Sequence, residues 1–163
     1  MIRKARMDDL DGLEAVYAAA RRYMVQSGNP AQWGDGYPRR ALLEADIQAG
    51  ELYAAEREGR VCGAFAFPLG EDPTYAVIEE GQWLNGAPYG TIHRLAGDGT
   101  EKGLFARCLA FCRGITPNIR ADTHRDNRTM QHLLEKHGFV RCGIIHVSDG
   151  SPRIAYQLPA GEG

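Results

Sequence analysis

The sequence predicts an α/β fold built on a mixed sheet. Short runs in which apolar residues alternate with polar ones, bounded by turn residues, predict strands. Longer segments with apolar residues at spacings of three and four predict helices. The order is strand, two helices, several strands, helix, strand, helix and a closing hairpin. This order is typical of a mixed sheet with helices packed against it. At 163 residues we expect one domain over 1–158, followed by a frayed tail over 159–163.

The first part of the chain supplies a strand, two helices and a hairpin. The first helix follows two aspartates that serve as N-cap residues, and Ser27-Gly28-Asn29-Pro30 ends it. A turn at Glu58-Gly59 joins two strands as an antiparallel hairpin. The predicted elements are a strand over 2–5, a helix from Asp8-Asp9 to about Met24, a helix from Pro38 to Gly50, and strands over 52–57 and 60–67.

The later part repeats a strand-helix pattern after an irregular segment over 69–90. Within that segment, 75–79 is either a strand continuation or a short helix. Glycines punctuate the next turn, Asp126-Asn127 caps the last helix, and Asp149-Gly150 turns the closing hairpin. The predicted elements are strands over 91–95, 118–123, 139–147 and 152–158, and helices from 104 to about 115 and from 127 to 138.

Composition excludes several classes of protein. A net charge of −2 argues against a nucleic-acid partner held by a broad basic field. No apolar run reaches membrane-spanning length, and the N-terminal residues lack the apolar core of a signal peptide. We therefore expect a cytoplasmic protein with no membrane partner. The cysteines at 62, 108, 112 and 142 lack Cys-x-x-Cys spacing, which favours buried, reduced thiols.

The segment over 91–112 combines a strand, a glycine-rich turn and an amphipathic helix. A glycine turn that opens a helix presents unpaired backbone N–H groups at the positive end of the helix dipole. Such a site suits a phosphate or pyrophosphate. An ordinary strand-helix connection uses glycine as well, so this segment alone leaves both interpretations open.

Nearly the whole chain, from Ile2 to Leu158, resembles the GNAT (Gcn5-related N-acetyltransferase) superfamily. The resemblance implies a central, mixed, mostly antiparallel twisted sheet flanked by helices. In that family a loop of the form Arg/Gln-x-x-Gly-x-Gly/Ala holds the pyrophosphate of acetyl-CoA. The matching cofactor-binding residues here are Thr100, Glu101, Lys102, Gly103, Leu104 and Phe105. Gly103 fits the pattern, whereas Thr100 and Phe105 depart from it, so backbone amides have to provide the binding.

A second motif of the family matches Asn127 to Phe139. By the resemblance, Asn127 contacts the pantetheine arm of acetyl-CoA, and the backbone of Leu95 holds its acyl end. The tyrosine that protonates the leaving thiolate in many members is replaced by Leu134. Either another group donates that proton, or the thiolate, from a thiol of pKa about 8.5, leaves unassisted.

His93 is the candidate general base, because histidine changes charge near neutral pH. On a regular strand His93 and Leu95 share a face while Arg94 points away, which places His93 near acyl transfer. A core or supporting histidine is the other interpretation. Glu80, beside Glu79, is a second catalytic candidate, and a solvated surface carboxylate is its alternative.

The acceptor site is less determined. Trp33 and Tyr37 lie in a loop that either walls a substrate pocket or anchors itself to the core. His124 either lines that pocket or orders its own turn. Asp122 and His124 have the spacing of metal ligands, but no further ligand cluster accompanies them, so we expect no metal.

These observations lead to an expected function. The resemblance implies an N-acetyltransferase that uses acetyl-CoA as co-substrate and acts on an unidentified amine: a small molecule, an amino acid or a peptide. Transfer would be direct, within a ternary complex. The alternative is a non-catalytic acyl-CoA-binding or regulatory module on the same fold, and a homodimer is compatible with either.

Overall fold

The computed structural model describes residues 1–160, which form one seven-stranded sheet and the helices that cover it. The predicted tail over 159–163 lies outside the described residues for its last three positions. The strands are β1 (Ile2–Lys4), β2 (Leu52–Arg57), β3 (Arg60–Ala66), β4 (Gly90–Gly97), β5 (Ile119–Thr123), β6 (Val140–His146) and β7 (Pro152–Leu158). The main helices are α1 (Leu10–Gln26), α2 (Arg40–Gln48), α3 (Leu104–Arg113) and α4 (Arg128–Lys136).

The strand order across the sheet is β1-β2-β3-β4-β5-β7-β6. The central pair, β4 with β5, is parallel, and every other neighbouring pair is antiparallel. The crossover between the two parallel strands is α3, as a parallel connection requires. The predicted mixed, mostly antiparallel sheet flanked by helices is therefore confirmed.

Helices cover both faces of the sheet. On one face, Leu13 and Tyr17 of α1 and Leu43 of α2 pack onto small alanines of β2, β3 and β4. On the other face, α3 and α4 pack onto larger side chains such as Phe65 and Tyr156. Successive side chains point to opposite sides of a sheet, so along β3 the small residues Ala64 and Ala66 lie on one face and Phe65 lies on the other.

The predicted helices and strands are present with small shifts at their ends. The second helix begins at Arg40 rather than at Pro38. The ambiguous segment 75–79 forms neither a strand nor a helix of its own. A 3-10 turn covers Pro73–Tyr75, and Glu79 then makes an isolated bridge to Ile144 of β6. No helix among residues 1–160 has the length and apolar character needed to span a bilayer.

The four cysteines are buried and unbridged, as the sequence predicted. Burial raises the pKa of the Cys108 thiol to about 12, with smaller effects from Arg107 and Cys62. A thiol with a raised pKa is a poor nucleophile because little thiolate is present at neutral pH. Cys108 therefore serves packing under α3 rather than chemistry.

Candidate active site

The sheet opens at its centre because β4 and β5 are paired only at their first residues. Gly90, Thr91 and Ile92 pair with Ile119, Arg120 and Ala121, and the ladder ends there. His93 and Asp122 are the next residues on the two strands. The fold therefore places a histidine and an aspartate side by side at the mouth of a cleft between diverging strands.

A bulge in β4 enlarges the irregularity at this point. Ala66 of β3 pairs with His93, but Ala64 pairs with Ala96, so β4 carries one residue more than its partner. Arg94 lies in this bulge and has a left-handed backbone conformation, with φ +52°. This conformation costs a non-glycine residue roughly 1–2 kcal/mol. Strain of this kind persists where surrounding structure imposes it, which is common at functional sites.

The bulge overturns one prediction from the sequence. We expected His93 and Leu95 to share a face, but the extra residue reverses the alternation between them. Leu95 packs toward the core under α3 and α4, whereas His93 faces the opposite side with Asp72. Arg94 lies on the side of His93, where it binds Asp46 of α2. The alternation of faces along a strand assumes a regular strand, so it cannot reveal a bulge.

A groove of about 600 Å³ lies between the ends of α1 and β4, the start of α3 and one side of α4 along its length. Of the residues expected to bind the cofactor, Leu95, Glu101, Gly103, Leu104, Phe105 and Asn127 line it, whereas Thr100 and Lys102 lie in the turn beside it without lining it. The structure thus gathers most of the predicted set along one groove.

The start of α3 is suited to an anion. Gly103 adopts a left-handed conformation, φ +74°, and an added Cβ there would meet nothing within 4 Å. Gly103 has no side chain with which to cap the helix, so the amides of the first turn face the groove with the positive end of the dipole. The carboxylate of Glu101 forms an ion pair with Arg107 and accepts a hydrogen bond from the thiol of Cys62. These features fit a pyrophosphate. The amide of Thr100 is already used, because it donates a hydrogen bond to Oδ1 of Asp98.

The departure from the family pattern at Phe105 has a packing explanation. Phe105 is buried, and its ring lies 5.0 Å from that of His137 and 6.5 Å from that of Phe139. The large side chain is therefore turned into the core between α3 and α4. The backbone of the first turn of α3 stays exposed to the groove.

Asn127 links the groove to the loop that precedes α2. Its Oδ1 accepts a hydrogen bond from the amide of Met130 at 3.0 Å and so caps α4. Its Nδ2 donates to Oε1 of Gln32 at 3.0 Å. The family resemblance pointed to a pantetheine contact for Asn127. The structure places it at the wall of the groove and shows that it also fixes the early loop.

A second cavity, of about 580 Å³, lies across the sheet opening from the groove. Trp33 and Tyr37 of the early loop line it, together with His93, Asp72 and Asp122. The rings of Trp33 and Tyr37 lie 6.3 Å apart, and Trp33 packs on Tyr17 of α1. The loop is thus anchored to the core and walls a pocket at the same time, and the binding of a substrate there stays a prediction.

A small space of about 60 Å³ connects the groove to this cavity. Leu95 and Asn127 line both this junction and the groove, while Trp33 and Asp122 line both the junction and the cavity. The junction lies where β4 and β5 diverge. A ligand in the groove and one in the cavity would meet there.

His93 is held by a carboxylate. Its Nε2 lies 2.8 Å from Oδ2 of Asp72. Burial raises the pKa of Asp72, but hydrogen bonds from His93 and Thr74 outweigh it and bring the pKa down to about 2. An ionised carboxylate only accepts hydrogen bonds, so the proton of the neutral imidazole sits on Nε2. The lone pair is then on Nδ1, which is ready to take a proton.

Asp122 is a carboxyl held in a poorly solvated place. Tyr75 donates a hydrogen bond to its Oδ2 at 2.6 Å, and within residues 1–160 the side-chain hydrogen bonds of Asp122 engage only that oxygen. Burial raises the pKa of Asp122, against opposing effects of His93 and the Tyr75 hydrogen bond. A perturbed carboxyl beside a cleft is typical of a functional site.

Two predicted residues lie elsewhere. Glu80 is exposed and lines a separate cavity of about 640 Å³ with His124, so the structure does not bring it to the site of His93. His124 accepts a hydrogen bond from the amide of Asp126 and orders its turn. Glu80 lies within the irregular segment and His124 directly after β5, and neither of them lines the junction.

The sequence missed Asp72 and Tyr75 and considered Asp122 only as a metal ligand. Asp72 and Tyr75 lie in the irregular segment 69–90, where no periodicity indicates a direction for any side chain. Asp122 follows Ala121 at the end of a predicted strand. Its neighbour on the parallel strand, His93, was the available signal, but using it requires the register between β4 and β5.

Leu134 occupies the position at which the family often has tyrosine. It is 1% exposed and lines the junction. A hydrocarbon side chain at this point supplies no proton. Any reaction at the junction therefore proceeds without a proton donor from this turn of α4.

An α/β fold with a sheet opened between two parallel strands, a groove at a helix start and a polar cavity opposite is the arrangement of an acyltransferase-type fold. Comparison with known proteins agrees. An acetyltransferase of the GNAT family from Streptococcus agalactiae is 32% identical over 99% of this chain and 96% of its own, with a TM-score of 0.89. The chain therefore belongs to the GNAT family.

More distant structures share the fold. A putative acetyltransferase from Staphylococcus aureus is 24% identical over 99% of both chains, with a TM-score of 0.71. GphF, a GNAT-like decarboxylase in complex with isobutyryl-CoA, is 15% identical over 99% of this chain and 100% of its own, with a TM-score of 0.65. No family sequence model and no curated protein matches the chain.

Proposed function

We propose that the protein is an N-acetyltransferase that moves an acetyl group from acetyl-CoA directly to an amine while both substrates are bound. The observation that carries the proposal is the junction. The groove and the polar cavity open onto each other between β4 and β5, and His93 and Asp122 stand at that opening. Family membership supports the acyltransferase class, and the acyl-CoA bound by GphF supports the use of a CoA thioester.

The groove would hold acetyl-CoA through its backbone. The amides at the start of α3 face the position expected for pyrophosphate, and Lys136 at the groove adds positive charge. Leu95 and Asn127 line the narrow end toward the junction. Holding the thioester there, beside the amine, removes most of the entropic cost of a two-substrate reaction.

The cavity would bind the amine and remove its proton. Asp122 attracts the ammonium form, and Nδ1 of His93, oriented by Asp72, accepts a proton from it. The neutral amine then forms a bond to the acyl carbon as the bond from that carbon to sulfur breaks, and the nitrogen releases its second proton to solvent, which leaves the neutral amide. Because Leu134 donates no proton, the sulfur leaves as thiolate, which a pKa of about 8.5 for a thiol permits at modest cost.

A direct assay tests the proposal. The protein is mixed with acetyl-CoA and a panel of amines, and free thiol and acetylated amine are measured together. We expect both to appear in equal amounts with at least one class of amine, with initial rates that depend jointly on both substrates. Binding of acetyl-CoA without acetylation of any amine in the panel would contradict the proposal.

One observation favours a second candidate, a non-catalytic acyl-CoA-binding module. Leu134 leaves the junction without the proton donor that many relatives use. The module predicts thermal stabilisation by acetyl-CoA, as binding to the folded state requires, but no product. The same panel therefore separates the two candidates.

A further inference from the structure

Arg153, on β7, is a buried cation at the wall of the acceptor cavity. The residue is 8% exposed and lines the cavity opposite the aromatic loop. Its guanidinium donates to Oγ of Ser151 at 3.0 Å, to the carbonyl of Pro152 at 2.9 Å and to the carbonyl of Gln32 at 3.3 Å. All of these acceptors are neutral, and within residues 1–160 no carboxylate lies within 4.0 Å of this guanidinium.

Two other enclosed arginines have partners that Arg153 lacks, although within residues 1–160 the Nε of each makes no hydrogen bond. Arg94 in the same cavity is bound by Asp46 at 2.6 Å. Arg120 lies between the rings of Trp83 and Tyr89, at 4.1 and 3.9 Å from their centroids. Burying a charge without a partner is costly. Arg153 therefore retains attraction for an anion, and its planar fork suits a carboxylate.

The nearest acids do not remove this attraction. Hydrogen bonds from Ser151, with a smaller effect of the charge of Arg153, lower the pKa of Asp149. Burial raises the pKa of Asp122, with a small opposing effect of Arg153, so both acids lie within electrostatic range of Arg153. Neither lies at ion-pair distance. Asp149 is fully solvated at its turn and is screened by water.

The register of the sheet fixes how Arg153 lies relative to Asp122. Asp122 of β5 pairs with Ala155 of β7, and Arg153 stands two residues before Ala155 on the same face. The two side chains are therefore diagonal neighbours, with Cα atoms roughly 7–8 Å apart. Asp122 lies at the junction, where the amine must be, and Arg153 lies beyond it in the cavity.

We infer that the acceptor is a small amino acid-like zwitterion, whose ammonium group meets Asp122 and whose carboxylate meets Arg153. The short diagonal between these residues suits an amine and a carboxylate separated by few bonds, as in a free α-amino acid. The inference rests on the proposed acetyl transfer and names the substrate class of that site. It excludes simple monoamines as good acceptors.

The test compares acceptors that differ only in the carboxylate. Phenylalanine, its amide and phenethylamine present the same ring with and without the anion, and leucine with its two counterparts repeats the series. For wild-type protein we expect kcat/KM to be about 10- to 100-fold higher for the acids, the size of a charge-assisted hydrogen bond. Equal values for acids and their uncharged counterparts would overturn the inference while leaving acetyl transfer established.

Variants assign the effect to the side chain. In Arg153→Gln we expect KM for the acids to rise by about the same factor, while KM for the amides changes much less, because for them only neutral contacts of Arg153, such as that with Gln32, are lost. Arg153→Lys should restore part of the preference. Arg141→Gln, which removes an exposed arginine of the neighbouring strand β6, is the matched control. A preference that survives in Arg153→Gln would overturn the inference.

A binding measurement keeps the inference independent of turnover. With CoA present, acids should raise the melting temperature of the wild type and of Arg141→Gln, and not that of Arg153→Gln. If no amine is acetylated but this pattern holds, the site still recognises zwitterions and only acetyl transfer fails. Equal stabilisation by acids and amides, or none by either, would contradict the inference. Circular dichroism and the melting temperature without ligand confirm that the variant folds.

Discussion

Nδ1 of His93 is the atom on which the proposed proton transfer depends. Asp72 is ionised because its pKa is about 2, and it holds Nε2–H at 2.8 Å. This arrangement fixes both the tautomer and the direction of the ring. Asp122 adds the charge that attracts an ammonium group. The site thus separates orientation, proton acceptance and substrate attraction among three side chains.

We expect His93→Gln to lower kcat by about 10²- to 10⁴-fold, the usual contribution of a positioned general base. Glutamine keeps a polar side chain of similar size but accepts no proton. KM for acetyl-CoA should change little, because His93 lines the cavity and not the groove. Glu80→Gln is the control, since Glu80 lines a separate cavity. An unchanged pH profile of kcat/KM in His93→Gln would show that another group takes the proton.

Asp72→Asn tests the assigned tautomer. The asparagine amide donates a hydrogen bond to Nε2 and so moves the imidazole proton to Nδ1, where it blocks proton acceptance. We expect a loss of kcat of about 10²-fold or more with the histidine still in place. Activity within a few-fold of wild type, measured by thiol release, is the outcome that contradicts this assignment.

Asp122→Asn is expected to stabilise the fold and to weaken activity. Burial raises the pKa of Asp122, so the folded state binds this proton more tightly than the unfolded chain does. The stability that the carboxyl contributes is therefore greatest at low pH and falls as pH rises past the unfolded and then the folded pKa. The variant and the wild type should have the same melting temperature at acid pH, and the variant should have the higher melting temperature at neutral pH. A difference independent of pH would contradict this account.

Single residues of the site were partly predictable from sequence. His93, Trp33 and Tyr37 stand out by type and by position within recognisable elements, and they line the acceptor cavity. Asp72 and Tyr75 could not be found, because they lie in a segment without periodicity. Arg153 stands in a predicted strand. Arg153 is buried and its hydrogen-bond acceptors are neutral. Both properties depend on the register of β5 with β7, which only the structure shows.

At the scale of elements, the irregularities carry the site. The β4 bulge at Arg94 and the short β4–β5 ladder create the junction. The sequence predicted β4, α3 and β5 and the turn between them correctly. The prediction assumed that β4 is a regular strand. It was therefore wrong in placing Leu95 on the same face as His93.

The start of α3 gives a prediction that separates binding from stability. Gly103→Asp places a negative charge where the pyrophosphate is expected, yet an acid at a helix N-terminus is favourable to the helix itself. We expect the affinity for acetyl-CoA to fall by at least about 10-fold. The melting temperature should fall modestly in this variant and in its control, because both positions have a positive φ that strains a non-glycine residue. Gly70→Asp is the control, because Gly70 also has a positive φ and open space and lies beyond the other end of β4. Equal affinities of the two variants would contradict a pyrophosphate site at Gly103.

At the scale of the whole molecule, the sheet brings two substrate sites together through one opening. The groove on the side of α3 and α4 and the cavity beneath the early loop have similar volumes, about 600 and 580 Å³. Gln32 contacts a residue at each of the two spaces. Its side chain accepts a hydrogen bond from Asn127 at the groove, and its backbone carbonyl accepts one from Arg153 at the cavity. The order of elements was enough to predict a mixed sheet with helices packed against it, because strand alternation and helix periodicity are local properties of the sequence. The mostly antiparallel sheet was implied by the family resemblance.

The measurement that tests the central claim most directly is the joint appearance of thiol and product. Wild-type protein is incubated with acetyl-CoA and a free α-amino acid, and CoA thiol and N-acetylated amino acid are both quantified by mass spectrometry. The account predicts equal amounts of the two, and loss of both in His93→Gln. Thiol without acetylated product, or neither when acetyl-CoA is bound, would contradict direct acetyl transfer at this junction.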